Sequence, residues 1–155
     1  MYLIHRATGE RREALIESVN SADFKSIKKS KQFPGFNWNK EKRNLVFKLH
    51  LGGSDEILGL LSLSDFSDER WIRINLLQSS EENVGNGKKY DRIAGCLIAY
   101  ACRLAFRKGY DGFVALLPKT ALRKHYINKY GMENAGLHIY TALNNSEKLI
   151  QNYLQ

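Results

Sequence analysis

The sequence predicts an α/β domain: a mixed, mostly antiparallel central sheet with one parallel strand pair and helices on both faces. Three observations predict it. Leu45, Phe47 and Leu49 alternate with Val46, Lys48 and His50, and Ile72, Ile74 and Leu76 alternate with Arg73 and Asn75, the period of strands. From Tyr90 to Lys108 the apolar residues Ile93, Leu97, Ile98, Ala101, Leu104 and Ala105 recur at three and four, the stripe of a long helix packed on a sheet. An apolar strand over residues 113–117 follows, and a strand, helix, strand order is a crossover whose strands run parallel.

Each element has its own signal. Met1–Arg6 reads as a short strand. Thr8-Gly-Glu-Arg and the spacing of Leu15, Ile16 and Val19 predict a first helix, and Ser21-Ala-Asp-Phe24 opens a second. Pro34-Gly35 breaks the chain into a loop carrying Phe33, Phe36 and Trp38. Residues 44–51 and 56–64 flank Gly52-Gly53-Ser54-Asp55 as a hairpin, and residues 71–77 add a third antiparallel strand. Gly109 ends the long helix, Pro118 precedes a helix over residues 119–130, and Gly131 ends that one. Residues 137–143 form a last strand, and residues 146–154 a terminal helix capped by Ser146.

With 155 residues, 43% of them hydrophobic and 11% aromatic, the chain reads as one domain, residues 1–155, able to bury its own core. Apolar runs such as 57–62 and 113–118 fall well short of the roughly 18–20 residues that cross a bilayer. Arg6 arrives before any signal-peptide core, so a cytoplasmic protein without membrane contact is expected, as a monomer or homodimer. Cys96 and Cys102, six apart in an apolar helix, form neither a disulfide framework nor a CxxC site and read as buried, reduced thiols. His5, His50, His125 and His138 are scattered without metal-ligand spacing, and no metal is expected.

The net charge of +8 is clustered: residues 1–50 hold 11 basic and 5 acidic side chains, and residues 103–130 hold 7 basic and 1 acidic. Clustered cations suit a polyanion, either a phosphate-rich cosubstrate or nucleic acid. No helix-turn-helix, zinc-finger or aromatic RNA-binding signature accompanies them, which places nucleic acid third among the readings. The loop Val84-Gly-Asn-Gly-Lys-Lys-Tyr90 runs into the long helix, whose N-terminal N–H groups and dipole favour an anion such as a pyrophosphate; an unliganded surface loop is the alternative.

The order of elements over residues 44–143 resembles the GNAT acetyltransferase superfamily. Its phosphate loop, Gln/Arg-x-x-Gly-x-Gly/Ala, is similar to Lys89-Tyr90-Asp91-Arg92-Ile93-Ala94, followed here by Gly95. Lys89 replaces Gln/Arg, and Arg92 stands at the first Gly, where it either pairs with a phosphate or obstructs the loop. Arg107 to Pro118 and Leu122 to Met132 resemble the strand and the Tyr-bearing helix that follow. Lys119 stands where the family usually has Asn, and Tyr126 lies five residues before Gly131 rather than four.

The resemblance implies a central strand that splays from its parallel neighbour, acetyl-CoA as cosubstrate, and an amine acceptor that is a small molecule or a protein. It also implies backbone oxyanion donors near Leu76 and Leu77, and Tyr126 as the acid that protonates the leaving thiolate. Ile93, Ala94 and Gly95 fall in the phosphate loop, and Lys119 and Lys129, with Arg123 and Lys124, are candidate phosphate partners. Glu81 and Glu82, just past the central strand, are candidate bases, and Phe33, Phe36 and Trp38 candidate acceptor-pocket residues. A noncatalytic coenzyme A-binding module of the same fold is the second reading, carried by Arg92.

Overall fold

The computed structural model describes residues 1–155 and places nine strands in one sheet. In chain order they are β1 (Tyr2–His5), β2 (Arg11–Ser18), β3 (Leu45–Leu51), β4 (Gly59–Phe66), β5 (Trp71–Ser79), β6 (Tyr90–Asp91), β7 (Val114–Leu116), β8 (Glu133–Ala135) and β9 (His138–Thr141). The helices are α1 (Ser21–Lys29), α2 (Ile93–Arg107), α3 (Thr120–Tyr130) and α4 (Leu143–Leu154). The strand order is β6-β1-β2-β3-β4-β5-β7-β9-β8, and only β5 and β7 pair in parallel. The crossover between those two is α2, as its apolar stripe requires.

Two apolar layers sandwich the sheet. On one face Leu61, Leu63, Ile72, Ile74, Val114 and Leu116 pack against the α2 residues Leu97, Ile98 and Ala101, and α4 packs against α2. On the other, Val46 and Leu60 pack against Phe24 and Ile27 of α1 and against Phe33 and Trp38 of the following loop. That second layer covers β3, β4 and, at Leu76 and Gln78, the far end of β5. Gly95 is called for by packing: a Cβ there would lie 2.1 Å from the Tyr153 ring of α4.

Several expectations are corrected. The expected first helix is β2, because Ala14 is buried and Ile16 half-buried while Leu15 and Glu17 face solvent, a strand period on a half-exposed hairpin. Asn20, not Ser21, caps α1: its side chain accepts from the Asp23 N–H while the Asp23 carboxylate accepts from the Asn20 N–H. The long helix starts at Ile93 rather than Tyr90, because Tyr90 and Asp91 pair with His5 and Ile4 of β1. The last helix starts at Leu143, so Ser146 lies inside it; its buried hydroxyl donates to the Gly112 carbonyl and shares a bond with the Thr141 hydroxyl. Strand β8 was not expected, since all three of its residues are exposed and leave no apolar signal.

Candidate functional site

The site begins where β5 loses a partner. Pairing with β7 ends at Ile74↔Leu116, while β5 continues along β4 to Ser79. At the same point the β4 register shifts: Leu63 faces Ile74 and Ser62 faces Leu76, which leaves Asn75 as a bulge. The bulge turns the strand. The Ser80 N–H donates to the Leu58 carbonyl of the β4 side, so alternation along this end turns the Leu76 N–H toward β4 and those of Leu77 and Ser79 into the gap. Of the two expected backbone donors, Leu77 faces the gap and Leu76 does not.

Above the gap, the N-terminus of α2 is open. Ile93, Ala94 and Gly95 are its first three residues, and their N–H groups have no hydrogen-bond acceptor; the first helical bond is Cys96 N–H to the Arg92 carbonyl. These N–H groups border a groove of about 340 Å³ lined by Ser79, Asn83, Lys88, Ile93, Lys129 and Tyr130 among others. Asp91 also lines it, but Arg6 at 3.7 Å and Lys88 at 3.4 Å offset its charge. The buried Asn83 side chain shapes the loop, accepting from the Tyr90 N–H at 2.7 Å and donating to the Ser80 hydroxyl at 2.8 Å.

Arg92 lines this groove, but its guanidinium is held by other partners. Its backbone is left-handed, with φ 86°, the conformation that favours glycine. Its guanidinium donates to the carbonyls of Tyr2 at 3.1 Å and Asn152 at 2.8 Å, and lies over the rings of Tyr2 and Tyr153. It ties the α2 N-terminus to β1 and to the end of α4. Lys89 is exposed, with its ammonium beside the Tyr90 ring, and Lys88 is the loop lysine that lines the groove.

Helix α3 closes the groove from the other side with Lys129 and Tyr130; Tyr126, one turn earlier, is not among the residues that line it. Tyr126 is half-buried beside Tyr130 and His125, and its hydroxyl has no protein partner. Burial raises its pKa, which keeps the phenol protonated at neutral pH. Lys119 caps the start of α3 and holds its ammonium 5.7 Å from the Phe36 ring, bridging to the loop that carries Phe33 and Trp38. Glu81 and Glu82 sit exposed in a short turn beyond β5, where their N–H groups donate to the carbonyl and side chain of Gln32. Cys96 and Cys102 take no part: burial pushes their thiols up to about 11 and about 12.

Sequence reasoning missed a polar chain on the α1 face of the sheet, level with the bulge. Arg73 donates to the Asn75 side chain at 2.8 Å, and Asn75 donates to the Ser64 hydroxyl at 2.8 Å and to that of Ser62 at 3.4 Å. Ser62 donates to the Glu41 carboxylate at 2.7 Å. Ser62 and Ser64, placed at alternate positions between the leucines of β4, are the one signal that marked it.

No protein-family model matches the chain, and no curated protein matches it by sequence. Solved structures do share its fold. A spermidine N-acetyltransferase chimera from Vibrio cholerae and hSSAT is 14% identical over 89% of this chain and 98% of its own, at a TM-score of 0.64. An N-acetyltransferase from Staphylococcus aureus Mu50 is 15% identical over 85% and 99%, at 0.61. A GNAT family acetyltransferase from Brucella melitensis, in complex with acetyl-CoA, is 13% identical over 84% and 88%, at 0.57. The fold of this chain is therefore the GNAT acyl-CoA N-acyltransferase fold.

Proposed function

We propose that the protein transfers an acetyl group from acetyl-CoA to a primary amine. The observation that carries this reading is the row of three unpaired N–H groups at the α2 N-terminus, facing a lysine-bordered groove above the β5/β7 gap. The groove fits a pyrophosphate, because free helix N–H groups and the helix dipole both favour an anion there. Lys88 and Lys129 add positive charge on opposite sides, and the pantetheine arm runs down the gap along β5.

The residues support a direct transfer. The amine lone pair attacks the thioester carbonyl carbon, forming the C–N bond, and the oxyanion accepts from the Leu77 N–H. The nitrogen, cationic once the C–N bond has formed, passes its second proton to solvent as the C–S bond breaks, the thiolate takes the Tyr126 proton, and solvent reprotonates the phenolate. The acceptor enters as an ammonium and must first lose a proton. Glu41 is the carboxylate at the level of Asn75, whereas Glu81 and Glu82 lie past Ser79, about 13 Å further along β5 at the usual strand rise. We therefore assign the base to Glu41. Because Arg92 is engaged with Tyr2 and Asn152, its presence gives no support to a decayed cosubstrate site.

Tyr126→Phe tests the assignment, since it removes one hydroxyl and keeps the ring. Turnover should fall by about a hundredfold, with the Kd for coenzyme A changed by less than about twofold. Unchanged turnover makes Tyr126 a packing residue.

A further inference from the structure

A guanidinium sets the direction of the hydrogen bonds around the bulge. The Arg73 Nε–H can only donate, so the Asn75 atom 2.8 Å from it is the carbonyl oxygen Oδ1, and the amide nitrogen Nδ2 faces β4. Both protons of that nitrogen are used there, one toward the Ser64 hydroxyl at 2.8 Å and one toward that of Ser62 at 3.4 Å. Each serine oxygen accepts, and its single proton goes onward.

The two branches meet again. The Ser62 proton goes to Oε1 of Glu41 at 2.7 Å. The Ser64 proton goes to the Asn44 carbonyl oxygen at 3.5 Å, which turns the Asn44 Nδ2 toward the same Oε1 at 3.3 Å. A carboxylate can only accept, so the far end imposes the same direction as the guanidinium. Ser62 is wholly buried between Leu61 and Leu63, where a hydroxyl is costly unless it is bonded, and its bonds to Asn75 and Glu41 are what satisfy it.

This arrangement orients the carboxylate. Both bonds fall on Oε1 and neither on Oε2, and Glu41 is half-buried, so one oxygen is held and the other is left for a ligand. The turn that carries Glu41 is pinned as well: the Trp38 indole N–H donates to the Gln78 carbonyl oxygen at 2.8 Å, and the Gln78 amide donates to the Pro34 carbonyl at 2.7 Å. Asn75, the residue the bulge leaves unpaired, is the point from which both branches start.

Resting on the acetyltransferase reading and on Glu41 as its base, we propose that Asn75 is a positioning residue. It directs two lines of hydrogen bonds, one through Ser62 and one through Ser64 and Asn44, onto Oε1 of Glu41, and so presents Oε2 to the acceptor ammonium. One proton passes from the nitrogen to Oε2, and the lone pair it leaves on nitrogen attacks the thioester.

Asn75→Asp tests this, because it keeps the shape and reverses the chain: a carboxylate at position 75 accepts from Arg73 and from both serines, and draws the Ser62 proton off Glu41. Two probe amines of equal length separate the effects. Propylamine is an ammonium at neutral pH and needs a base, whereas ethoxyamine is already a free amine. With propylamine, Asn75→Asp should lower kcat about tenfold and leave KM and the Kd for acetyl-CoA within about twofold; with ethoxyamine, kcat should stay within about twofold. Glu41→Gln should show the same contrast with a larger loss, and adding Asn75→Asp to it should cost nothing further. Ser62→Ala, which deletes one branch, should act in the same direction if Asn75→Asp does not fold. Wild-type kcat in both variants, an equal loss with the two amines, or a further loss in the Glu41→Gln background would overturn the proposal and leave acetyl transfer standing. Neither amine acetylated by the wild-type protein, or no acetyl-CoA bound at all, would remove the transfer reading and the proposal together.

Discussion

Arg92 holds two opposed contributions in one residue. Its left-handed backbone costs about 1–2 kcal/mol in a side-chain-bearing residue, and its guanidinium offsets this with two carbonyl bonds and two ring contacts. Arg92→Ala loses the contacts and keeps the strain, whereas Arg92→Gly loses the contacts and relieves it. Chemical denaturation should show both variants destabilised, with Ala worse than Gly by about 1 kcal/mol. Coenzyme A affinity should change by less than threefold in each, because the side chain is committed elsewhere. Equal stability of the two variants would mean that the left-handed conformation is not adopted in solution. The sequence marked position 92 as a departure from a glycine pattern but not where its side chain goes. Its partners lie 90 and 60 residues away along the chain, beyond the reach of any local pattern.

At the scale of elements, α1 is fixed by charge as much as by its two buried residues, Phe24 and Ile27. The Asp23 carboxylate closes the capping box and accepts from Lys48 of β3 at 2.9 Å. Burial alone would raise its pKa, but the Asn20 N–H and the Lys48 ammonium outweigh that and hold it below its ordinary 3.8. A lowered carboxylate contributes stability above its unfolded pKa and loses it as pH falls through the folded value. Asp23→Asn should therefore destabilise the protein at neutral pH by about 1 kcal/mol, and the difference from wild type should narrow below pH 3.8 as Asp23 protonates. A gap that stays constant to pH 2 would separate the cap from the carboxylate.

Elements with a full apolar period were legible: β3, β4, β5, α2 and β7 fall within a few residues of their expected bounds. Those with one wet face were not. In β2 only Ala14 and Ile16 turn inward, and the accident of Leu15, Ile16 and Val19 at helical spacing outweighs them. Strand β8 offers no buried residue, and β6 is two residues long and exists because β1 is there to pair with it.

Across the whole molecule, the candidate site forms where the parts meet: a bulge that ends one strand pairing, a helix start left open, and a second helix laid across the groove. Residues 71–131, which carry all three, were the informative stretch of the sequence. The Glu41–Ser62–Asn75 chain escaped it because it joins a loop, β4 and β5 through side chains alone. The most direct measurement is a two-dimensional amide NMR titration of the uniformly labelled protein with acetyl-CoA. Acetyl-CoA seated as proposed shifts the amides of Ile93, Ala94 and Gly95 at the helix start and of Leu77 and Ser79 in the gap, saturably and together, with desulfo-coenzyme A shifting the same helix amides. Saturable binding that leaves those five amides unmoved, or no binding at millimolar concentration, would contradict the assignment of the groove and the function built on it.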